Sequence, residues 1–151
     1  SCRSVMAQGL LQKRLKELEP KLRETIEVLS AGVFALDGMP ASKETITLLQ
    51  REGVDASGHM SRVLSNEHLR SAHLIFVMEP FHREEILRRA PDAKFKVHLL
   101  KSFRSPQPAD QDSGVPDPIG KPLEVYESCF AMIKESVERI AQALTSPEPA
   151  G

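Results

Sequence analysis

Arg3 and Ser4 stand where a polar start runs directly into a helical pattern, with apolar residues at Met6, Leu10, Leu11, Leu15 and Leu18 near the 3.6-residue period. The pattern predicts a helix that begins at or just after Ser4. The first turn of a helix leaves backbone N–H groups without intrahelical partners, and with the helix dipole they make a ready anion site. Arg3, immediately before that turn, adds a planar five-donor fork suited to phosphate or a similar oxyanion. Taken alone, these residues read as an N-cap at Ser4 and a solvated surface charge at Arg3. Far downstream, Asp117-Pro118 reads on its own as a turn. The fixed φ of Pro118 would hold the Asp117 carboxylate on an otherwise mobile loop.

The elements that must position these groups alternate in type. The first helix ends before Pro20, because the residue preceding a proline is pushed out of the helical region. Thr25 to Val33 is expected as a strand through Ile26, Val28 and Leu29, with Ser30-Ala31-Gly32 as its exit. Phe34 to Pro40 is loop, with Asp37-Gly38 a turn. Helices follow over Ala41 to Gly53 and over Leu64 to Ala72, the second capped by Ser65. His73 to Met78 is the clearest strand: five apolar residues follow the histidine without alternation, as burial on both faces requires.

Pro80 to Ala90 reads as a charged helix with Phe81, Ile86 and Leu87 turned inward, and Phe95 to Leu100 as another strand. Ser102 to Gly120 holds four of the eleven prolines and is a long loop, of the kind that is usually functional or disordered. From Pro122 to Leu144 a long helix places Tyr126, Cys129, Phe130, Ile133, Val137 and Ile140 on one side. Strands alternating with helices imply parallel pairing and an α/β domain of three layers, over residues 1–145, with 146–151 a disordered tail.

The 151 residues suffice for one domain with a sizeable core. A net charge of -1, from 20 basic and 21 acidic side chains, gives no field strong enough to collect nucleic acid. Two cysteines make no disulfide framework, and the expected location is cytoplasmic. Apolar runs are too short for a membrane span. The five histidines, His59, His68, His73, His82 and His98, show no ligand spacing, so neither a metal site nor a cofactor is expected. Arg83, Arg88 and Arg89 read as a solvated helix face.

Cys2-Arg3-Ser4-Val5-Met6-Ala7-Gln8 resembles the second half of the phosphate-binding loop of the low-molecular-weight protein-tyrosine-phosphatase family, Cys-x-Gly-Asn-x-Cys-Arg-Ser-Pro-Met-Ala-Glu. Val5 replaces the usual proline and Gln8 the usual glutamate. Val115-Pro116-Asp117-Pro118-Ile119-Gly120, followed by Tyr126, resembles the family's Asp-Pro loop. Ser30-Ala31-Gly32 and Leu74-Ile75-Phe76-Val77-Met78-Glu79 resemble the segments around its second and third strands. The resemblance implies an α/β/α fold around a small parallel sheet, four strands in the family. It also implies hydrolysis of a phosphoprotein through a phosphocysteine intermediate, which splits one difficult displacement into two.

In that scheme Arg3 contacts the equatorial phosphoryl oxygens, Ser4 hydrogen-bonds the thiolate, and Asp117 is the general acid. Ser1, Cys2, Arg3 and Ser4 then belong to the phosphate-binding loop, and Ile119 and Gly120 to a substrate loop. The family's nucleophilic cysteine stands five positions before Cys2, which falls before Ser1 together with the family's first strand. The sequence as it stands is therefore expected to lack both, to be inactive and to fold poorly alone. Cys2 corresponds to a neighbour that can form a protective disulfide with the nucleophile, and otherwise contributes only a backbone N–H.

Tyrosine-specific members carry a branched apolar residue at the position of Ser1 and aromatic residues after the Asp-Pro pair. Ser1, Ile119 and Gly120 instead resemble the protein-arginine-phosphatase branch, and no aromatic wall is left to stack a phosphotyrosine ring. Phosphoarginine is thus favoured over phosphotyrosine. A phosphate-binding regulatory module without turnover is the alternative. An arsenate reductase is disfavoured, since no cysteine lies between Met78 and Tyr126.

Overall fold

The computed structural model describes residues 2–106 and 114–146. The elements are α1 (Cys2–Leu18), α2 (Pro20–Thr25), α3 (Lys43–Arg51), α4 (Asn66–Ser71), β1 (Ile75–Val77), α5 (Pro80–Arg89), β2 (Val97–Leu99) and α6 (Leu123–Thr145), with a 3-10 helix at Pro91–Phe95 before β2. Ser1, residues 107–113 of the expected long loop and residues 147–151 of the expected tail lie outside the described residues.

Caps decide the helix limits. The Ser42 hydroxyl accepts from the Thr45 N–H at 3.2 Å and so starts α3. Ser65 and His68 cap α4 reciprocally: the hydroxyl accepts from the His68 N–H, and Nδ1 of His68 accepts from the Ser65 N–H. The first helix begins at Cys2, two residues earlier than its apolar pattern suggested, which puts Arg3 and Ser4 inside the first turn. Ser4 is therefore not the N-cap.

β1 and β2 pair in parallel, Ile75 with Val97, Phe76 with His98 and Val77 with Leu99. Val77 and Val97 pack with Leu69 of α4, Ile86 of α5 and Ala93, and Ile75 and Leu99 lean on that cluster. Phe76 leans on the opposite cluster, built from Met6 and Leu10 of α1, Leu48 and Leu49 of α3, and Phe130, Ile133, Val137 and Ile140 of α6. Alternate residues of a strand facing two separate helical layers give the three-layer α/β/α arrangement. The Phe103 ring closes the second layer edge-on, 4.9 Å from Phe76 and 5.1 Å from His98.

The expected strand over Thr25–Val33 does not form. Pro20–Thr25 is the short helix α2, and within the rest of that segment, up to Val33, only Gly32 makes a bridge, to Val63. A strand is held by a neighbour's backbone, and among the described residues no strand runs beside this segment. The Val28 carbonyl instead accepts from the side-chain amides of Gln8 at 3.1 Å and Gln12 at 3.4 Å, and Leu29 is 48% exposed. The strand expected from Phe95 starts at Val97, because Pro91 opens a 3-10 turn that carries Phe95 to the surface. Arg88 and Arg89 both grip Glu85, and Arg89 also donates to the Val33 carbonyl at 3.2 Å, so Arg89 ties α5 to the loop instead of facing water alone.

Candidate active site

Arg3 leaves the first turn of α1 beside the carboxyl end of β1, and only 6% of it is exposed. A buried guanidinium needs partners. Its Nη1 lies 2.9 Å from Glu79 Oε2 and donates to the Val115 carbonyl at 2.6 Å. Its Nη2 lies 3.8 Å from Asp117 Oδ2. Its Nε is buried and has no hydrogen-bond partner among the described residues. An orphaned buried donor costs about 1–3 kcal/mol, and an oxyanion at that edge would satisfy it.

The carboxyl end of β1 supplies the floor. Met78 ends the apolar run, its carbonyl accepts the Val115 N–H at 2.8 Å, and Glu79 is the N-cap of α5. The Glu79 N–H donates to His82 Nδ1 at 3.2 Å, which leaves the His82 proton on Nε2. Burial, and after it the Arg3 charge, holds the His82 pKa below its ordinary value, while Glu79 and Asp117 act against that shift. His82 thus shares the field of the same cluster.

Sequence reasoning separated Arg3 from Asp117 by 114 positions, and the fold brings their side chains to 3.8 Å. The Asp117 side chain is 46% exposed, and its Oδ1 accepts the Ile119 N–H at 3.1 Å. A turn follows: the Lys121 N–H donates to the Pro118 carbonyl at 2.9 Å, and Gly120 takes φ 76°, where a side chain would be strained. Ile119 points outward, 57% exposed.

Cys2 does not present its thiol to this cluster. Sγ donates to the Ser42 hydroxyl at 3.4 Å and lies 4.0 Å from the Tyr126 hydroxyl, inside the core shared with α3 and α6. What Cys2 can offer an anion is its backbone N–H in the first turn. Ser4 is half-buried in that turn, and Ser1 lies outside the described residues. Cys129 is core, its thiol pushed up to about 11 by burial, which makes it unreactive. Glu79, His82 and Val115 were not singled out in the sequence. The available sign for Glu79 was a carboxylate at the carboxyl end of a fully apolar strand, where ligands of open α/β sheets sit.

Among the described residues no group of three or more His, Cys, Asp and Glu is arranged to hold a metal, and no helix is long and apolar enough to cross a membrane.

Comparison with known proteins gives this geometry a family. A protein-arginine-phosphatase of Geobacillus stearothermophilus is 35% identical over 148 residues, spanning 98% of this chain and 92% of its own. The low molecular weight protein-tyrosine-phosphatase Wzb of Escherichia coli K12 is 31% identical over 147 residues, 97% of this chain and 90% of its own. The solved YwlE arginine phosphatase from Geobacillus stearothermophilus superposes with a TM-score of 0.81 at 36% identity, covering 95% of this chain and 86% of that one. The model of the family described as low molecular weight phosphotyrosine protein phosphatase matches residues 1–149, and the chain belongs to that family.

Proposed function

We propose that this protein dephosphorylates phosphoproteins in the cytoplasm, with phosphoarginine preferred to phosphotyrosine, and that Arg3, Ser4 and Asp117 work with a cysteine nucleophile as the family resemblance implies. The observation that carries the reading is Arg3: a buried guanidinium whose Nη1 is held twice and whose Nε edge has no partner among the described residues, beside an exposed carboxylate. Thiolate sulfur attacks phosphorus while the bond to the leaving nitrogen or oxygen breaks, its electron pair going to the leaving atom. Asp117 gives that atom a proton. Water then attacks the phosphocysteine, Asp117 takes the proton, and the thiolate departs. Charge on the equatorial oxygens is met by the free edge of Arg3 and the first N–H groups of α1.

Phosphoarginine is favoured because the residues after Asp117-Pro118 are Ile119 and Gly120 and not aromatic ones, and a Cβ on Gly120 would meet open space. Similarity to an arginine phosphatase along nearly the whole chain supports the same choice.

The test is hydrolysis of phosphoarginine and phosphotyrosine peptides side by side, using residues 1–151 and a longer protein extended at Ser1 by the family's first strand and loop cysteine. Faster turnover of phosphoarginine by the longer protein is expected. Faster turnover of phosphotyrosine would overturn the preference and keep the mechanism. Phosphate binding without turnover of either, by a folded longer protein, would make this a binding module.

A further inference from the structure

The segment 114–118 that carries Asp117 is fastened more firmly than a surface loop needs. Gly114 lies against the end of β1 so closely that a Cβ there would sit 3.2 Å from the Met78 carbonyl oxygen, 3.2 Å from Glu79 Cγ and 3.3 Å from Glu79 Cα. Two of those three atoms are backbone and cannot step aside. Close approach to the end of β1 is what favours glycine at this position. Val115 is fully buried; its N–H donates to the Met78 carbonyl and its own carbonyl accepts from Arg3 Nη1. Pro118 is fully buried on the other side. Asp117, between these anchors, is the residue left reaching outward.

The same guanidinium therefore touches both halves of the site. Nη1 holds the backbone two residues before Asp117, Nη2 faces the Asp117 carboxylate, and Nε is the donor without a partner. A planar, rigid fork transmits position from one edge to the other in a way that a flexible ammonium cannot.

We infer that Gly114 and Val115 are positioning residues for Asp117, fixing its height above the site through the Val115 carbonyl on Arg3 Nη1, so that oxyanion binding and placement of the acid share one tie. This rests on the reading of Asp117 as general acid. Moving the segment outward by a few tenths of an ångström lengthens the proton's path to the leaving atom and loosens the Val115 carbonyl's hold on Arg3, while the backbone N–H groups of α1 stay in place. The rate then suffers where protonation of the leaving group matters and little where it does not.

The experiment compares wild type, Gly114→Ala and Asp117→Asn in the full-length protein on phenyl phosphate, a poor leaving group, and 4-nitrophenyl phosphate, a good one. Gly114→Ala is expected to lower kcat on phenyl phosphate about tenfold and on 4-nitrophenyl phosphate less than threefold, roughly half on a logarithmic scale of the hundredfold loss a fully misplaced group gives. An equal loss on both, as a merely structural defect or a disturbed Glu79 would give, overturns the inference, and so does no loss. Should Gly114→Ala fail to fold, Val115→Ala keeps both backbone bonds and removes only the buried anchor, and the same split decides. If Asp117→Asn itself shows no leaving-group dependence, the general-acid reading is what has failed, and the inference falls with it.

Should the wild type turn over neither ester, the dissociation constant of inorganic phosphate, followed by amide chemical shifts, decides instead. A rise of threefold or more in Gly114→Ala, which changes no charge, supports the shared tie, and an unchanged constant overturns it. A wild-type protein that binds no phosphate overturns the anion site at Arg3 and the tie together.

Discussion

Glu79 Oε2 sits 2.9 Å from Arg3 Nη1, at the junction of a buried strand and the helix that follows it. The carboxylate balances a cation that would otherwise be buried with only the more exposed Asp117 nearby. Glu79→Ala is expected to destabilise the fold by on the order of 2 kcal/mol, less than the 3–5 kcal/mol for breaking a fully buried pair, because Glu79 is partly open to water. Urea denaturation measures it, and a change under about 0.5 kcal/mol would show that the pair is solvated.

The long helix α6 and the first helix form the second layer, and Ile133 is fully buried in it with Met6, Leu10 and Val137. Ile133→Ala removes three carbons from a packed site and should cost about 2–5 kcal/mol. Thermal unfolding reads this as a lower midpoint. A midpoint within a degree of the wild type would mean that the α1–α6 contact is loose.

The parts of the fold legible in the sequence were those with local causes. Ser65 announced α4, Pro20 ended α1, and the unbroken run Leu74–Met78 marked the buried strand. Residues 26–31 looked equally strand-like, but a strand depends on its neighbour, and Ile26, Val28 and Leu29 carry no information about one. The site divides in the same way. Arg3 and Asp117 were visible as motif residues, whereas the Val115 carbonyl is a backbone atom that no side-chain pattern reports, and the closeness of Gly114 to Met78 exists only once the segment is folded onto β1.

Three histidines make stability depend on pH near neutrality. His59, His82 and His98 are each held below the ordinary value of 6.5, burial being the first cause in every case. The unfolded chain therefore binds protons that the folded chain refuses, and stability falls as pH drops below 6.5 towards the folded values. The carboxylates held low by their partners, Glu52, Glu85 and Glu138, add their loss only as pH falls below 4.5. Urea midpoints at pH 7.5, 6.5 and 5.5 should decrease in that order, and the drop should shrink in His82→Gln. A flat profile would sink the claim that these imidazoles are kept neutral.

Arg3→Lys retains the charge and discards the geometry. An ammonium is one compact point with three donors, whereas Arg3 reaches Glu79, the Val115 carbonyl and the face of Asp117 from one rigid plane and still has Nε to spare. A lysine satisfying Glu79 would leave the Val115 carbonyl unpaired, and one turned to an oxyanion would leave Glu79 unpaired. Binding of inorganic phosphate by the full-length protein is therefore expected to weaken by roughly tenfold or more, since a bidentate, charge-assisted contact is reduced to a single one. If affinity stays within twofold, charge alone suffices at this position, and the fork geometry of Arg3 is not what recognises the anion.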